Sequence, residues 1–155
     1  MEVAEAIKSR SEDTNHQVGA VVVNSDEENL IVSTGYNGMA RNIPHISDVL
    51  DSRKEKLDWI CHAEENALHN AARCGISTKG CSLYVTKFPC FRCMLAMIQA
   101  GIKRVYTTDT EYWENDPVDI GAKRKKWLLR NGYLYVEAPN HDDFKLESII
   151  GGKAA

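Results

Sequence analysis

The sequence predicts an α/β fold in which a five-stranded mixed sheet lies between layers of helices. Short β-rich runs alternate with stretches of helical periodicity, and glycines stand where the helices should end. The first two β-rich runs are separated only by a short polar turn. A hairpin followed by strand–helix–strand units gives a sheet with antiparallel and parallel pairs and helices on both faces.

The N-terminal half is predicted to form a helix, a hairpin and a long loop. Residues 2–10 place apolar side chains on one helical face. The β-rich residues 17–24 and 30–36 are joined by a polar turn, which predicts a hairpin. Residues 37–56 form a polar loop, and a loop of this length inside a compact domain is commonly functional.

In the C-terminal half, each predicted helix ends near a glycine: Gly75, Gly101 or Gly132. Pro89 suits the first turn of a helix, where its missing N–H costs nothing. These signals predict helix 59–73, strand 81–86, helix 89–100, strand 103–108, helix 118–130 and strand 133–137.

The chain length indicates a single domain, and the net charge is not typical of a protein that binds polyanions such as nucleic acids. The 155 residues suffice for a buried core, and we expect a single domain over residues 1–140 with a loosely ordered tail over 141–155. Lysine and arginine number 19 against 22 acids, a net charge of −3, whereas nucleic-acid binders usually carry a basic surplus. The basic run at residues 123–126 is explained as readily by a solvated helix face.

The cysteines and the chain's hydropathy predict a cytoplasmic protein without a membrane partner. No apolar run reaches the roughly 18 residues that span a bilayer, and residues 1–5 lack a signal-peptide core. The five cysteines are an odd number, and Cys90 and Cys93 form a C-x-x-C. In a reducing compartment that spacing indicates metal or redox chemistry rather than a structural disulfide.

Three side chains near predicted helix starts are suited to zinc. Cys90 and Cys93 are three residues apart and project to one side of their helix. The positive end of the helix dipole lowers the pKa of a thiol there and favours the thiolate ligand. His62 supplies a third ligand, and three protein ligands leave a fourth position for water, as in catalytic zinc sites.

Glu64, two residues after His62, is close enough to such a metal to move protons between a water and a substrate ring nitrogen. Each feature alone has a plainer explanation. A C-x-x-C also serves redox pairs and half of four-cysteine zinc sites, a lone histidine is usually structural, and a lone helix glutamate is usually solvated. Their combination, H-x-E followed by P-C-x-x-C, is the signature of zinc nucleobase deaminases.

The chain resembles the deoxycytidylate deaminase family over residues 9–137, nearly the whole predicted domain. Its motifs occur in the order usual for that family, and Gly-Tyr-Asn-Gly at 35–38 is the most family-specific of them. The other segments that carry the resemblance are 9–13, 18–20, 62–67 and 89–93.

The resemblance implies a cytidine deaminase-like three-layer α/β/α fold and zinc-dependent hydrolysis of dCMP at C4, giving dUMP and ammonia. It implies one zinc on His62, Cys90 and Cys93, with Glu64 as the catalytic proton carrier. The small-molecule partner would be the nucleotide substrate, with no nucleic acid bound.

For substrate binding, the resemblance implies that the backbone N–H of Ala63 holds the base and Asn37 hydrogen-bonds the sugar. Tyr112 would close over the nucleotide. Ser9 and Arg10 are candidates for the neighbourhood of the phosphate, because the loop before the first strand should border the pocket.

The resemblance also implies regulation, since members of the family are commonly homohexamers activated by dCTP and inhibited by dTTP. Gly38 and Arg73 are candidate effector-binding residues, although a lone helix arginine is equally explained by solvent exposure. Mg²⁺ could accompany the triphosphate. Ala40 replaces a usual proline, which bears on the effector response, and Met94-Leu95 replaces small and basic residues, which bears on packing.

Three alternatives stay open at this point. A tRNA adenosine deaminase shares the zinc motifs, but the net charge of −3 and Gly-Tyr-Asn-Gly count against it. A riboflavin-pathway pyrimidine deaminase is commonly fused to a reductase domain, which this sequence lacks. A non-catalytic zinc module would need the three ligands but not Glu64.

Overall fold

The computed structural model describes residues 1–27, 29–44, 53–109 and 120–137. Within these ranges the chain forms five helices and seven strands. The helices are α1 (Glu2–Lys8), α2 (Arg53–Trp59), α3 (Ala63–Arg73), α4 (Phe91–Gln99) and α5 (Ile120–Arg130). The strands are β1 (Gly19–Asn24), β2 (Leu30–Tyr36), β3 (Gly38–Met39), β4 (Ile60–Cys61), β5 (Ser82–Val85), β6 (Arg104–Thr107) and β7 (Tyr135–Glu137).

The predicted five-stranded mixed sheet is confirmed, with strand order β2-β1-β5-β6-β7. β1 pairs antiparallel with β2 in the expected hairpin and antiparallel with β5 on its other side. β5, β6 and β7 are mutually parallel. The carboxyl ends of β5 and β6 therefore meet the amino end of β1 at one edge of the sheet, where the segments preceding β1 and following β5 and β6 converge.

Helices cover both faces of the sheet, as the alternation in β1 requires. Ala20 and Val22 face a large core built with side chains from β5, β6, β7, α3, α4 and α5. Val21 and Val23 face the opposite side and pack with Ala4 of α1. The helices end as predicted, because Gly75, Gly101 and Gly132 all have positive φ, which suits glycine just after a helix.

Helix α3 is fastened directly onto β2. Ser33 donates a hydrogen bond of 2.6 Å to the carbonyl oxygen of Ala67, and the amides of Asn66 and Asn70 donate bonds of 2.8 Å to carbonyl oxygens of β2. Gly35 makes this close approach possible, because a Cβ there would overlap backbone atoms of α3. These contacts fix the first turn of α3, where His62 and Glu64 lie.

Two predicted boundaries differ from the structure. The helix predicted over 59–73 begins only at Ala63, as α3, because Ile60–Cys61 form β4. The preceding α2, Arg53–Trp59, lies mostly in the segment that was predicted as loop. β4 pairs antiparallel with β3, which lies in the segment predicted as loop, and Gly38 faces Cys61. A two-residue strand is too short for alternation to reveal it, and its pairing partner is distant in sequence.

No helix in the described residues is both long and apolar enough to cross a bilayer. Tyr112 and the tail over 141–155 lie outside the described residues, as does the start predicted at residue 118 for the last helix.

Candidate functional site

His62 is the N-cap of α3, so its side chain is carried at the helix entrance. Its backbone is extended, with φ −71° and ψ 158°, and its carbonyl oxygen accepts the N–H of Asn66 at 2.9 Å. Its N–H donates to Oε2 of Glu65 at 3.0 Å, which is half of a capping box. The first turn of the helix therefore fixes the backbone that carries the imidazole.

Cys90 is the N-cap of α4 in the same way, with φ −71° and ψ 165°. Its carbonyl oxygen accepts the N–H of Met94 at 3.0 Å, and its Sγ accepts the N–H of Cys93 at 3.5 Å. Pro89 therefore precedes the cap rather than standing inside the helix, which begins at Phe91. The cap turn brings both sulfurs of the C-x-x-C to the same end of α4.

The two helix entrances bring the three predicted ligands together. Nδ1 of His62 lies 3.5 Å from Sγ of Cys90 and 3.4 Å from Sγ of Cys93, and all three ligand atoms lie within 4.8 Å of one another. A tetrahedral zinc with usual Zn–N and Zn–S bond lengths would need N···S edges of about 3.6 Å. The donor set and its spacing therefore fit one zinc ion.

The three ligand groups shift one another's pKa because they lie so close together. Hydrogen bonding with Cys90 raises the pKa of His62 to about 9. Hydrogen bonds from Cys93 and His62 lower the pKa of Cys90 to about 4, and the same bond to Cys90 raises the pKa of Cys93. A metal bound by these three groups would displace the protons that they carry.

Glu64 follows the metal cluster on the first turn of α3 and is only 4% exposed. Burial raises its pKa to about 7, although its own backbone N–H and the positive charge of His62 lower it. A carboxyl group with a pKa near neutrality can both accept and return a proton. A group that moves protons between a water and a substrate ring nitrogen needs this property.

A cavity of about 300 Å³ opens beside the cluster. His62, Glu64 and Cys90 lie at its metal end, while Val18, Ile60 and Phe88 supply apolar wall. The remaining lining residues are Asp13, His16, Asn37, Lys56, Ala63, Lys87 and Asp109. A larger cavity of about 440 Å³ lies beside α1 on the opposite face of the sheet, but it contains none of the metal-site residues.

Two of the predicted substrate-binding residues line this cavity. Ala63 is fully buried in the first turn of α3. Asn37 is 6% exposed, and its amide holds the loop before β1: Oδ1 accepts the N–H of Val18 and Nδ2 donates to the carbonyl of His16, both at 2.7 Å. One N–H of this amide has no partner among these bonds.

Four other predicted binding residues, all within the described ranges, do not line this cavity: Ser9, Arg10, Gly38 and Arg73. Ser9 is exposed and donates to the carbonyl of Ala6, while the guanidinium of Arg10 lies 5.8 Å from the ring centre of Tyr36. Gly38 is buried in β3, and Arg73 is exposed at the end of α3. Their assigned roles stay predictions, as does that of Tyr112, which is outside the described residues.

Several cavity residues were given no role from the sequence. His16, Lys56, Lys87, Phe88 and Asp109 all line the cavity. Lys87 and Asp109 each follow a parallel strand at its carboxyl end, which is where ligands bind in open α/β sheets. Strand direction would have identified these two. Lys56 precedes β4 in the segment predicted as loop, and no short-range signal marked it.

The basic run on α5 differs from a purely solvated face. Lys125 is 3% exposed, and its ammonium lies 5.5 Å from the ring centre of Phe88. The guanidinium of the preceding Arg124 lies 5.6 Å from the ring centre of Phe91. Consecutive cations of α5 thus contact the two aromatic residues on either side of Cys90. Lys123 and Lys126 are exposed as expected.

Comparison with known proteins agrees with this site. The family profile for the cytidine and deoxycytidylate deaminase zinc-binding region matches residues 1–109. The human deoxycytidylate deaminase is 46% identical over 123 residues, which is 75% of this chain and 66% of the human chain. The chain thus spans just under two thirds of the human relative's length.

Two solved structures share the fold. The dCMP deaminase from the cyanophage S-TIM5, in complex with dCMP and dUMP, has a TM-score of 0.67 at 26% identity, covering 89% of this chain and 92% of that one. A diaminohydroxyphosphoribosylaminopyrimidine deaminase/reductase from Thermotoga maritima has a TM-score of 0.51 at 26% identity, covering 87% of this chain but 32% of that one. With the profile match covering the metal cluster, the chain belongs to the cytidine and deoxycytidylate deaminase family.

Proposed function

We propose that the protein converts dCMP to dUMP and ammonia by zinc-dependent hydrolysis. The observation that carries this proposal is the cluster of His62, Cys90 and Cys93 beside the buried Glu64 at one end of a nucleoside-sized cavity. The names of the human relative and of the cyanophage enzyme support dCMP as the substrate. The match covers only 32% of the Thermotoga maritima enzyme, so it supports the shared fold and gives little support to that enzyme's substrate.

His62, Cys90 and Cys93 would hold the zinc. When bound, zinc lowers the pKa of a coordinated water toward about 7, which supplies a nucleophile near neutral pH. Glu64 would take one proton from the water and deliver it to the ring nitrogen next to C4 as the water oxygen bonds to C4. It would then take the second proton from the new C4 hydroxyl and deliver it to the amino group, whose bond to C4 breaks as ammonia leaves. The backbone N–H of Ala63 holds the base, and the free amide N–H of Asn37 donates to the sugar.

The regulatory part of the proposal rests on family membership. The enzyme is a homohexamer that dCTP activates and dTTP inhibits, with Mg²⁺ accompanying the triphosphate and with Gly38 and Arg73 near the effector. Tyr112 closes over the nucleotide, and residues 1–140 form the catalytic domain with 141–155 as a loose tail. None of the five cysteines is in a disulfide, which suits a cytoplasmic location.

The test is to incubate zinc-loaded protein separately with dCMP, CMP, deoxycytidine and dCTP and to follow the products by chromatography. Conversion of dCMP in preference to the other three supports the proposal, and acceleration by dCTP at low dCMP supports the regulatory part. Conversion of dCMP without acceleration by dCTP would support the enzymatic activity but contradict the role of dCTP as an activator. If dCMP is not converted, the assignment of dCMP as the substrate is wrong. The next substrates to test would then be tRNA and riboflavin-pathway pyrimidines.

A further inference from the structure

Helix α5 carries a lysine on the side that faces the core. Leu128 and Leu129 are 7% and 4% exposed and belong to the main core, which identifies the side of α5 that faces the sheet. Lys125 precedes them by three and four residues, so it lies on that same side of the helix, and it is only 3% exposed. Burial of an ammonium group is destabilising unless other groups compensate for the lost water. A lysine at this position is therefore unusual, whereas the two leucines beside it are not.

The ammonium of Lys125 lies against the ring of Phe88. Its Nζ is 5.5 Å from the ring centre, within the range of a cation–π interaction. Phe88 is 8% exposed and lines the cavity beside the metal cluster, whereas Lys125, also a described residue, does not line it. Lys125 therefore supports this wall of the cavity from behind.

Phe88 is joined to the metal ligand Cys90 by a stiff segment. Pro89 has a fixed φ, is fully buried, and restricts Phe88 to extended backbone conformations. Upstream, the N–H of Thr86 donates to the carbonyl of Gly19 at 3.0 Å, and its Oγ1 accepts the N–H of Gly19 at 3.1 Å. Downstream, Cys90 is fixed as the N-cap of α4. A displacement of the Phe88 ring would therefore be transmitted to Cys90.

The preceding residue of α5 makes the same kind of contact on the other side of Cys90. The guanidinium of Arg124 lies 5.6 Å from the ring centre of Phe91, the first residue of α4. Arg124 is exposed, however, whereas Lys125 is buried. A cation–π contact contributes more when its cation is removed from water. Of the two contacts, that of Lys125 therefore holds the C-x-x-C segment more strongly.

We infer that Lys125 is a positioning residue of the metal site, which holds Phe88 in place and thereby keeps Cys90 where it can share a zinc ion with His62. Arg124 acts in the same way through Phe91, to a smaller extent. This inference rests on the zinc site of the proposed function. Its consequence is that loss of the charge of Lys125 changes how zinc is held in a protein that remains folded.

The experiment measures two properties of the folded protein: the rate at which zinc passes to an excess of a coloured chelator, and the visible absorption bands of the cobalt-substituted protein, which report ligand geometry. Lys125→Met keeps a flexible side chain and removes the charge, so it should release zinc about 3- to 10-fold faster and shift the cobalt bands. Arg124→Gln tests the same effect at an exposed position, where folding is not at risk, and should speed release by about 2- to 3-fold. Lys126→Gln, at the exposed next position of α5, is the matched control and should behave as the wild type does.

A double-mutant cycle tests whether the charge acts through the ring. Phe88→Leu removes the ring, so Lys125→Met should have no further effect on zinc release in that background. A full effect of Lys125→Met in the Phe88→Leu background would overturn the inference. A lower Tm in Lys125→Met with unchanged zinc release and unchanged cobalt bands would show a merely structural role and would overturn it as well.

These readouts do not depend on turnover of dCMP. If the wild-type protein binds zinc but does not convert dCMP, the proposed reaction is wrong, and the inference stands provided that the release rates differ as expected. If the wild-type protein binds neither zinc nor cobalt, the zinc site is wrong and the inference fails with it.

Discussion

The carboxylate of Asp13 and the ammonium of Lys56 form an ion pair of 2.8 Å in which the side chains are only 4% and 10% exposed. The other oxygen of Asp13 accepts the backbone N–H groups of Asn15 and His16. The pair thus joins the loop before β1 to α2, the helix that leads through β4 to His62. It holds two walls of the cavity at a fixed separation.

The first prediction is that this pair makes stability depend on acid pH. Burial raises the pKa of Asp13, but Lys56 and the two backbone N–H groups outweigh it, and the net pKa is lowered. A carboxyl whose folded pKa is depressed contributes stability above its unfolded pKa of about 3.9 and loses it as the pH falls through the folded value. Asp13→Asn should therefore cost about 3 kcal/mol at pH 7, and the difference from wild type should shrink below pH 4. Urea unfolding from pH 7 to pH 3 measures this.

The exposed neighbour provides the control, since Glu12→Gln should leave the urea midpoint unchanged at every pH. The double variant Asp13→Asn with Lys56→Met should be more stable than Asp13→Asn alone, because it leaves no buried charge without a partner. A constant difference between wild type and Asp13→Asn across the whole pH range would contradict the assigned pKa.

The second prediction concerns the metal ligands. Cys90→Ala should lose nearly all zinc on dialysis, because two ligands hold the ion poorly, and the thermal midpoint should fall with it. Cys74→Ser, which alters an exposed thiol at the end of α3, should keep one zinc per chain. Removing zinc from the wild type with a chelator should make Cys90 newly reactive toward a thiol reagent, because its pKa is lowered and it is only partly buried. Full zinc content in Cys90→Ala would disprove the ligand assignment.

The third prediction separates proton transfer from metal binding. Glu64→Gln keeps the size of the buried side chain but cannot carry a proton, so kcat should fall by at least about 100-fold. Zinc content should stay at one per chain, measured by atomic absorption, because Glu64 is outside the ligand cluster. Glu65→Gln offers the comparison, since its amide oxygen still accepts the N–H of His62. Undiminished kcat in Glu64→Gln would leave the reaction without its assigned proton carrier.

Local signals predicted the elements that carry the chemistry. His62 and Cys90 were expected near helix starts and both are N-caps, although the helices begin at Ala63 and Phe91 rather than at residues 59 and 89. The hairpin and the glycine helix ends also depend on short-range preferences. The order of strands and helices along the chain then indicates that the carboxyl ends of β5 and β6 lie at the same edge of the sheet.

Contacts between distant segments were not predictable in this way. β3 and β4 are two residues each and exist because they pair with one another, so neither has a periodicity of its own. Asn37 lines the cavity, but its bonds to His16 and Val18 depend on how the two segments pack. Arg10 adjoins the loop that borders the cavity, yet its side chain lies over Tyr36.

The fourth prediction tests whether the close approach of α3 to β2 positions the metal site. A methyl group on Gly35 would overlap the carbonyl oxygen of Ala63 and the amide nitrogen of Ala67, and backbone atoms cannot move aside as a flexible side chain can. Gly35→Ala should therefore cost about 3 kcal/mol, or roughly 6 to 12 °C in Tm, and should weaken zinc retention because it displaces the turn that carries His62. Gly38→Ala is the matched control, since its Cβ would meet only the ring of Tyr36 at 3.7 Å and should cost less than about 1 kcal/mol. Equal Tm values for the two variants would mean that α3 tolerates a larger separation from β2. In that case the hydrogen bonds from Ser33, Asn66 and Asn70 alone would determine where the first turn of α3 lies.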